Sequence, residues 1–71
     1  MERKAVESSN IASIGYDFEK KILEVEFKDN PGVFQYDDVS RSMHNKMMEA
    51  ESIGAFFAAN IRNNYHCRSV T

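Results

Sequence analysis

Ile22-Leu23-Glu24-Val25-Glu26-Phe27-Lys28 decides how this chain is read. Leu23, Val25 and Phe27 fall on one side of an extended segment, and Glu24, Glu26 and Lys28 on the other. That alternation is the period-two signature of a strand buried on one face. The flanks extend it. Asn10 to Tyr16 places Ala12, Ile14 and Tyr16 on one face, and Asp17 to Lys21 is a short turn between the two strands. Asp29-Asn30-Pro31-Gly32 reads as a second turn, with Pro31 presetting φ and Gly32 supplying the positive φ of a type II turn. Val33 to Asp37 follows as a third strand, hairpinned to the second, with Phe34 and Tyr36 on one face.

The second half changes period. Ser40 suits a helix N-cap, and Met43, Met47 and Ala50 follow at i, i+4 and i+7, with Met48 beside them. Ser52 suits the cap of a second helix carrying Ile53, Phe57 and Ile61 on one stripe, flanked by Phe56. Gly54 is expected to let this helix approach the preceding one, and Asn63-Asn64 to end it. Tyr65 to Val70 alternates weakly, as a short edge strand does. The expected fold is therefore α+β: a three-stranded antiparallel meander, then two helices packed on one sheet face, with a possible short C-terminal strand. Its core is expected to hold Leu23, Val25, Phe27, Met47, Phe57 and Ile61.

Composition sets the scale. The 71 residues suit one domain, 1–71, with 42% hydrophobic and 28% charged residues, an ordinary globular balance. A domain this short buries only about 60% of the surface its unfolded chain exposes, which leaves little material for a deep active site. No apolar run approaches the roughly 20 residues of a membrane helix, and residues 1–7 contain no apolar signal-peptide segment. Cys67 is the only cysteine and has no internal disulfide partner. A cytoplasmic protein without a membrane association is expected.

Catalytic patterns are weak. His66 and Cys67 are neighbours, and neighbours on an extended segment point to opposite faces, so they do not form a nucleophile–base pair. Cys67 reads instead as a small half-buried thiol. His44, His66, Cys67, Asp37 and Asp38 lack the spacing of a metal site. Asp37-Asp38 reads as a strand end whose charge complements the N-terminus of the following helix. The three glycines, Gly15, Gly32 and Gly54, are isolated, so no loop cradles phosphate. No catalytic residue, metal or cofactor is expected.

The net charge of −2 is unevenly divided. Residues 1–40 hold five Lys/Arg against nine Asp/Glu, and residues 41–71 hold four against two together with both histidines. The stretch Asn60 to Arg68 interleaves Arg, amide, aromatic and His groups, the mixture that contacts phosphates and stacks on bases. Arg62, Tyr65, His66 and Arg68 are candidate RNA contacts there, and Phe34 and Tyr36 are candidate stacking platforms where their sheet face is open.

Ser8-Ser9-Asn10-Ile11, Ile14-Gly15-Tyr16-Asp17, Leu23 to Phe27, Phe34-Gln35-Tyr36, Ala50 to Gly54, Phe57 and Ile61 to Tyr65 occur in this order. Together they resemble the KTSC domain family, over about Val6 to Val70. That family is named for a domain at the C-terminus of some lysyl-tRNA synthetases, and it also occurs as small stand-alone bacterial and phage proteins. Its central motif is Tyr–any–Tyr, here Phe34-Gln35-Tyr36, which loses one hydroxyl but keeps both rings. Pro31 also departs from the family's plain turn. The resemblance implies no activity, and its synthetase attachment suggests proximity to tRNA. Two functions are expected from the residues and the resemblance together. One is a non-catalytic module that binds RNA or tRNA weakly. The other is a protein-interaction or homodimerising accessory domain without nucleic-acid binding.

Overall fold

The computed structural model describes residues 1–29 and 32–70. The turn expected around Asn30 and Pro31 therefore lies outside the described residues. Five strands and two helices follow in order: β1 (Arg3–Ala5), β2 (Ile11–Asp17), β3 (Ile22–Phe27), β4 (Val33–Tyr36), α1 (Arg41–Glu49), α2 (Ile53–Asn60) and β5 (Cys67–Ser69). The strands form one antiparallel sheet in the order β1-β2-β3-β4-β5. The expected three-stranded meander is thus the centre of a five-stranded sheet. β1 adds a strand that three residues of charge and Ala did not signal, and β5 is the weakly alternating C-terminal strand.

Register fixes the faces. Tyr16, Leu23, Tyr36 and Cys67 are paired across successive strands, as are Ile14, Val25, Phe34 and Ser69. Residues directly opposite one another share a face, so these eight lie on the side the helices cover. One period-two expectation fails. The register shifts between Ile11 and Ser13, which leaves Ala12 as the extra residue of a bulge and turns Ile11 inward. Ile11 is fully buried there, where strict alternation would have placed the smaller Ala12.

The core joins Ile11, Ile14, Leu23, Val25, Tyr36, Val39, Met47, Phe57 and Ile61. Of the expected core residues, Phe27 alone is only half-buried, and it packs against this cluster. Ser40 caps α1 by accepting from the Met43 N–H at 3.1 Å, and Ser52 caps α2 by accepting from the Ala55 N–H at 3.2 Å. α2 ends at Asn60, before the expected Asn63-Asn64. The Asn64 side-chain amide donates back to the Asn60 carbonyl at 2.9 Å, so Asn64 caps the helix from outside it. Gly54 makes its close approach to a different neighbour than expected. A Cβ there would lie 2.5 Å from Asn10 Oδ1 and 3.1 Å from Ser8 Oγ, so it is the segment before β2, not α1, that presses on the helix.

The outer sheet face is also organised. Glu24, expected to point into water, is 6% exposed. Arg3 Nη1 donates to its Oε2 at 2.6 Å and Gln35 Nε2 to its Oε1 at 2.8 Å. Gln35 Oε1 in turn accepts from Arg68 Nη2 at 2.8 Å. A polar rung thus crosses from β1 to β5. Gly15 opens the path for Arg3, because a Cβ at that position would lie 3.0 Å from Arg3 Cγ and 2.7 Å from the Glu2 carbonyl oxygen.

Candidate nucleic-acid interface

The alternation of β4 and β5 sorts the six candidate contacts between the two sheet faces. Phe34 and Tyr36 point inward, toward α2. Tyr36 is 4% exposed and meets Phe57 edge-on at 5.3 Å between ring centroids. It is a core residue, and no base stacks on a ring so enclosed. Phe34 is half-buried and meets Phe27 at 5.8 Å with the rings inclined by 65°. The Phe34-Gln35-Tyr36 triplet therefore divides its work. Tyr36 fills the core, Gln35 joins the outer rung, and Phe34 lines the rim of a cleft.

That cleft has a volume of about 320 Å³ and lies beside the β3–β4 hairpin and the residues after α2. Phe27, Phe34 and Tyr36 form its apolar side, and Arg62, Cys67, Asn10 and Asp29 its polar side. Arg62 and Asp29 are exposed, and neither makes an ion pair with any described residue. Burial first, and then the hydrogen bond with the Cys67 thiol, push the Tyr36 phenol far above its ordinary range, so it stays protonated.

Cys67 is exposed, not half-buried as expected. β5 is an edge strand of three residues, with no further strand to cover its side chains. Sequence reasoning did not include Cys67 among the binding candidates, although the same alternation that separates it from His66 puts it beside Tyr36. Native protein is expected to take up a maleimide stoichiometrically at Cys67 without denaturant. A thiol that reacted only after unfolding would contradict this placement.

The remaining candidates lie elsewhere. Arg68 turns to the outer face, where Asp37 Oδ1 lies 2.6 Å from its Nη1. His66 Nδ1 lies 3.0 Å from Asp37 Oδ2, with its ring largely exposed. The hydrogen bonds from Arg68, and then from His66, hold the Asp37 carboxyl below the usual carboxylate range. Asp37 thus serves β5 and not the helix N-terminus, and the first turn of α1 has no acidic residue. Asp38 occupies a left-handed turn position at φ 60°. Tyr65 is half-buried against the core. The C-terminal segment is therefore not one contiguous contact surface, and only Arg62 of its four candidates reaches the cleft.

Two larger clefts, of about 730 and 500 Å³, flank Phe18 at the opposite end of the sheet. Phe18 is 53% exposed, with the Arg41 guanidinium 4.7 Å above its ring. Tyr16 stacks on His44 at 4.5 Å and donates its hydroxyl to the Val39 carbonyl. Glu2, Asp17 and Glu19 line one of these clefts with Lys20 and Arg68, and Glu2 and Glu49 the other with Lys4, so carboxylates outnumber Lys and Arg in both. Carboxylates in these positions repel phosphate. The smaller cleft sets one cation, Arg62, and one carboxylate, Asp29, beside the rings of Phe27, Phe34 and Tyr36. Among the described residues no group of three His, Cys, Asp or Glu side chains is arranged to hold a metal ion, and no helix is long and apolar enough to cross a membrane.

Comparison with known proteins places this geometry in a family. The KTSC domain profile matches residues 7–65. The crystal structure of a KTSC domain protein from Yersinia pestis superposes with a TM-score of 0.94 at 37% identity, covering 99% of this chain and 97% of that one. An uncharacterized protein of Stutzerimonas stutzeri (strain A1501) is 40% identical over 57 residues, which is 80% of this chain and 79% of that protein.

Proposed function

We propose that this chain, which belongs to the KTSC domain family, is a non-catalytic module that binds single-stranded or looped RNA weakly. The single observation that supports this reading is the meeting of Phe34 and Arg62 at one cleft, an aromatic edge beside a cation with no ionic partner among the described residues. Single-strand binders combine these two elements, because every base has a flat face and every nucleotide a phosphate. With one free cation at the cleft and a net charge of −2, affinity is expected to be micromolar or weaker near physiological salt.

Fluorescence anisotropy with tRNA and a short single strand tests this. Arg62→Ala is expected to weaken binding without loss of fold, since the residue is exposed, and to make the log–log salt slope shallower by about 0.7, the value of one single-strand phosphate contact. Phe34→Leu is expected to weaken binding while leaving the salt slope unchanged. If neither RNA binds at protein concentrations of hundreds of micromolar, or Arg62→Ala binds equally well, the reading fails and the protein-interaction alternative replaces it.

The sheet edges favour that alternative less. β1 and β5 are three residues each and centre on Lys4 and Arg68. Short edges with a central cation discourage strand-to-strand pairing between molecules.

A further inference from the structure

The polar side of the cleft has both charge signs, and this bears on which nucleotide it would hold. We propose that the cleft takes one unpaired guanine nucleotide, with the base against Phe34 and Phe27, its Watson–Crick edge on the Asp29 carboxylate, and its phosphate on Arg62. The inference rests on the RNA-binding reading and narrows it to one base.

Size comes first. A volume of about 320 Å³ is at the lower end of ligand pockets, which suits one nucleotide and excludes a helix. The apolar side suits a flat ring, because Phe27 and Phe34 meet at 65° and leave an angled hydrophobic wall. Charge then orients the ligand. Arg62 and Asp29 line the same cleft, yet they form no ion pair with each other. A nucleotide offers a phosphate to the first and base N–H groups to the second.

The carboxylate selects among bases. An ionised Asp accepts hydrogen bonds and donates none. Guanine presents two adjacent donors on its Watson–Crick edge, the ring N1–H and the exocyclic amine, and these match both oxygens of one carboxylate. Adenine and cytosine each place an unprotonated ring nitrogen beside their amine. Uracil flanks its one N–H with two carbonyl oxygens. Each of these sets a lone pair against the carboxylate, so Asp29 favours guanine through attraction and disfavours the others through repulsion.

Titration of the ¹⁵N-labelled full chain with GMP, AMP and guanosine, followed by NMR, tests the proposal. GMP is expected to shift the Phe34, Arg62 and Cys67 amides and to bind at least about fivefold tighter than AMP, the low end for a bidentate base contact. Asp29→Asn is expected to bring the GMP-to-AMP ratio to about one. Arg62→Ala is expected to weaken both nucleotides and leave guanosine unchanged. Equal affinity for GMP and AMP, a ratio unaltered in Asp29→Asn, or shifts centred on Phe18 would overturn the proposal. If single strands bind and respond to Arg62→Ala while any of those results holds, guanine selection alone fails. If no RNA and no nucleotide binds, the broader reading fails with it.

Discussion

Phe57→Ala is expected to cost about 3–5 kcal/mol, the range for truncating a large buried aromatic. Phe57 is 2% exposed and is the contact through which α2 grips the sheet, edge-on to Phe27 at 5.5 Å and to Tyr36 at 5.3 Å. Its removal leaves a hole between two layers that no neighbour can fill without moving a helix. Domains are stable by only about 5–15 kcal/mol, and a 71-residue chain has less surface to bury than most. Urea denaturation followed by circular dichroism is expected to show a variant mostly unfolded at 37 °C, with Phe57→Leu intermediate. A loss below about 1 kcal/mol would mean that the α2–sheet contact is not the centre of the core.

Arg3→Ala is the second large effect, and it acts from the outer face. Glu24 is nearly as buried as the core, and among the described residues Arg3 is the cation in direct ion-pair contact with it. Burial pushes the Glu24 carboxyl up, but the hydrogen bonds from Gln35 and Arg3, with the Arg3 charge, outweigh it and hold the group below its ordinary value. Without Arg3 the carboxylate stays buried with Gln35 and loses its counter-charge. A cost of about 2–3 kcal/mol is expected at neutral pH, tempered because the Arg3 side chain is itself 29% exposed. The pH dependence has a definite sign. A carboxyl with a lowered folded pKa stabilises the fold fully above its unfolded value, and this is lost as pH falls through the folded value. The gap between the native chain and Arg3→Ala should therefore close as pH drops below the ordinary glutamate range. Asp37, lowered by Arg68 and His66, adds acid sensitivity of the same sign to both proteins. The double variant Arg3→Ala/Glu24→Leu is expected to recover part of the loss at neutral pH, because it removes the stranded charge. A gap that stayed constant from pH 7 to pH 3 would count against the rung.

Periodicity carried the α+β reading, because it is written locally. Leu23, Val25 and Phe27 alternate within seven residues, and Met43 and Met47, or Phe57 and Ile61, repeat within one or two turns. The caps at Ser40 and Ser52 were legible for the same reason, since each satisfies an N–H three residues on. The neighbours of an extended pair were legible too: His66 and Cys67 do face opposite ways, one to Asp37 and the other to Tyr36.

Events that depend on distant partners were hidden. Whether Arg3-Lys4-Ala5 forms a strand depends on the exposed edge of β2 ten residues away, because the three residues themselves have no strand pattern. The bulge at Ala12 is stabilised by the volume Ile11 fills, and a period-two count cannot include it. Glu24 looked like a solvated charge until Arg3 and Gln35 came from β1 and β4 to cover it. The C-terminal cluster of Arg62, Tyr65, His66 and Arg68 looked continuous along the chain, but a strand sends alternate side chains to opposite faces and a helix end sends them round an axis. By itself the sequence determined the three central strands, the two helices with their N-caps and most of the buried stripe, all set by interactions within a few residues. Only the tertiary structure decided which side chains share a cleft, because strand register and the α2–sheet contact bring Phe34, Arg62, Asp29 and Cys67 together from four separate stretches of chain.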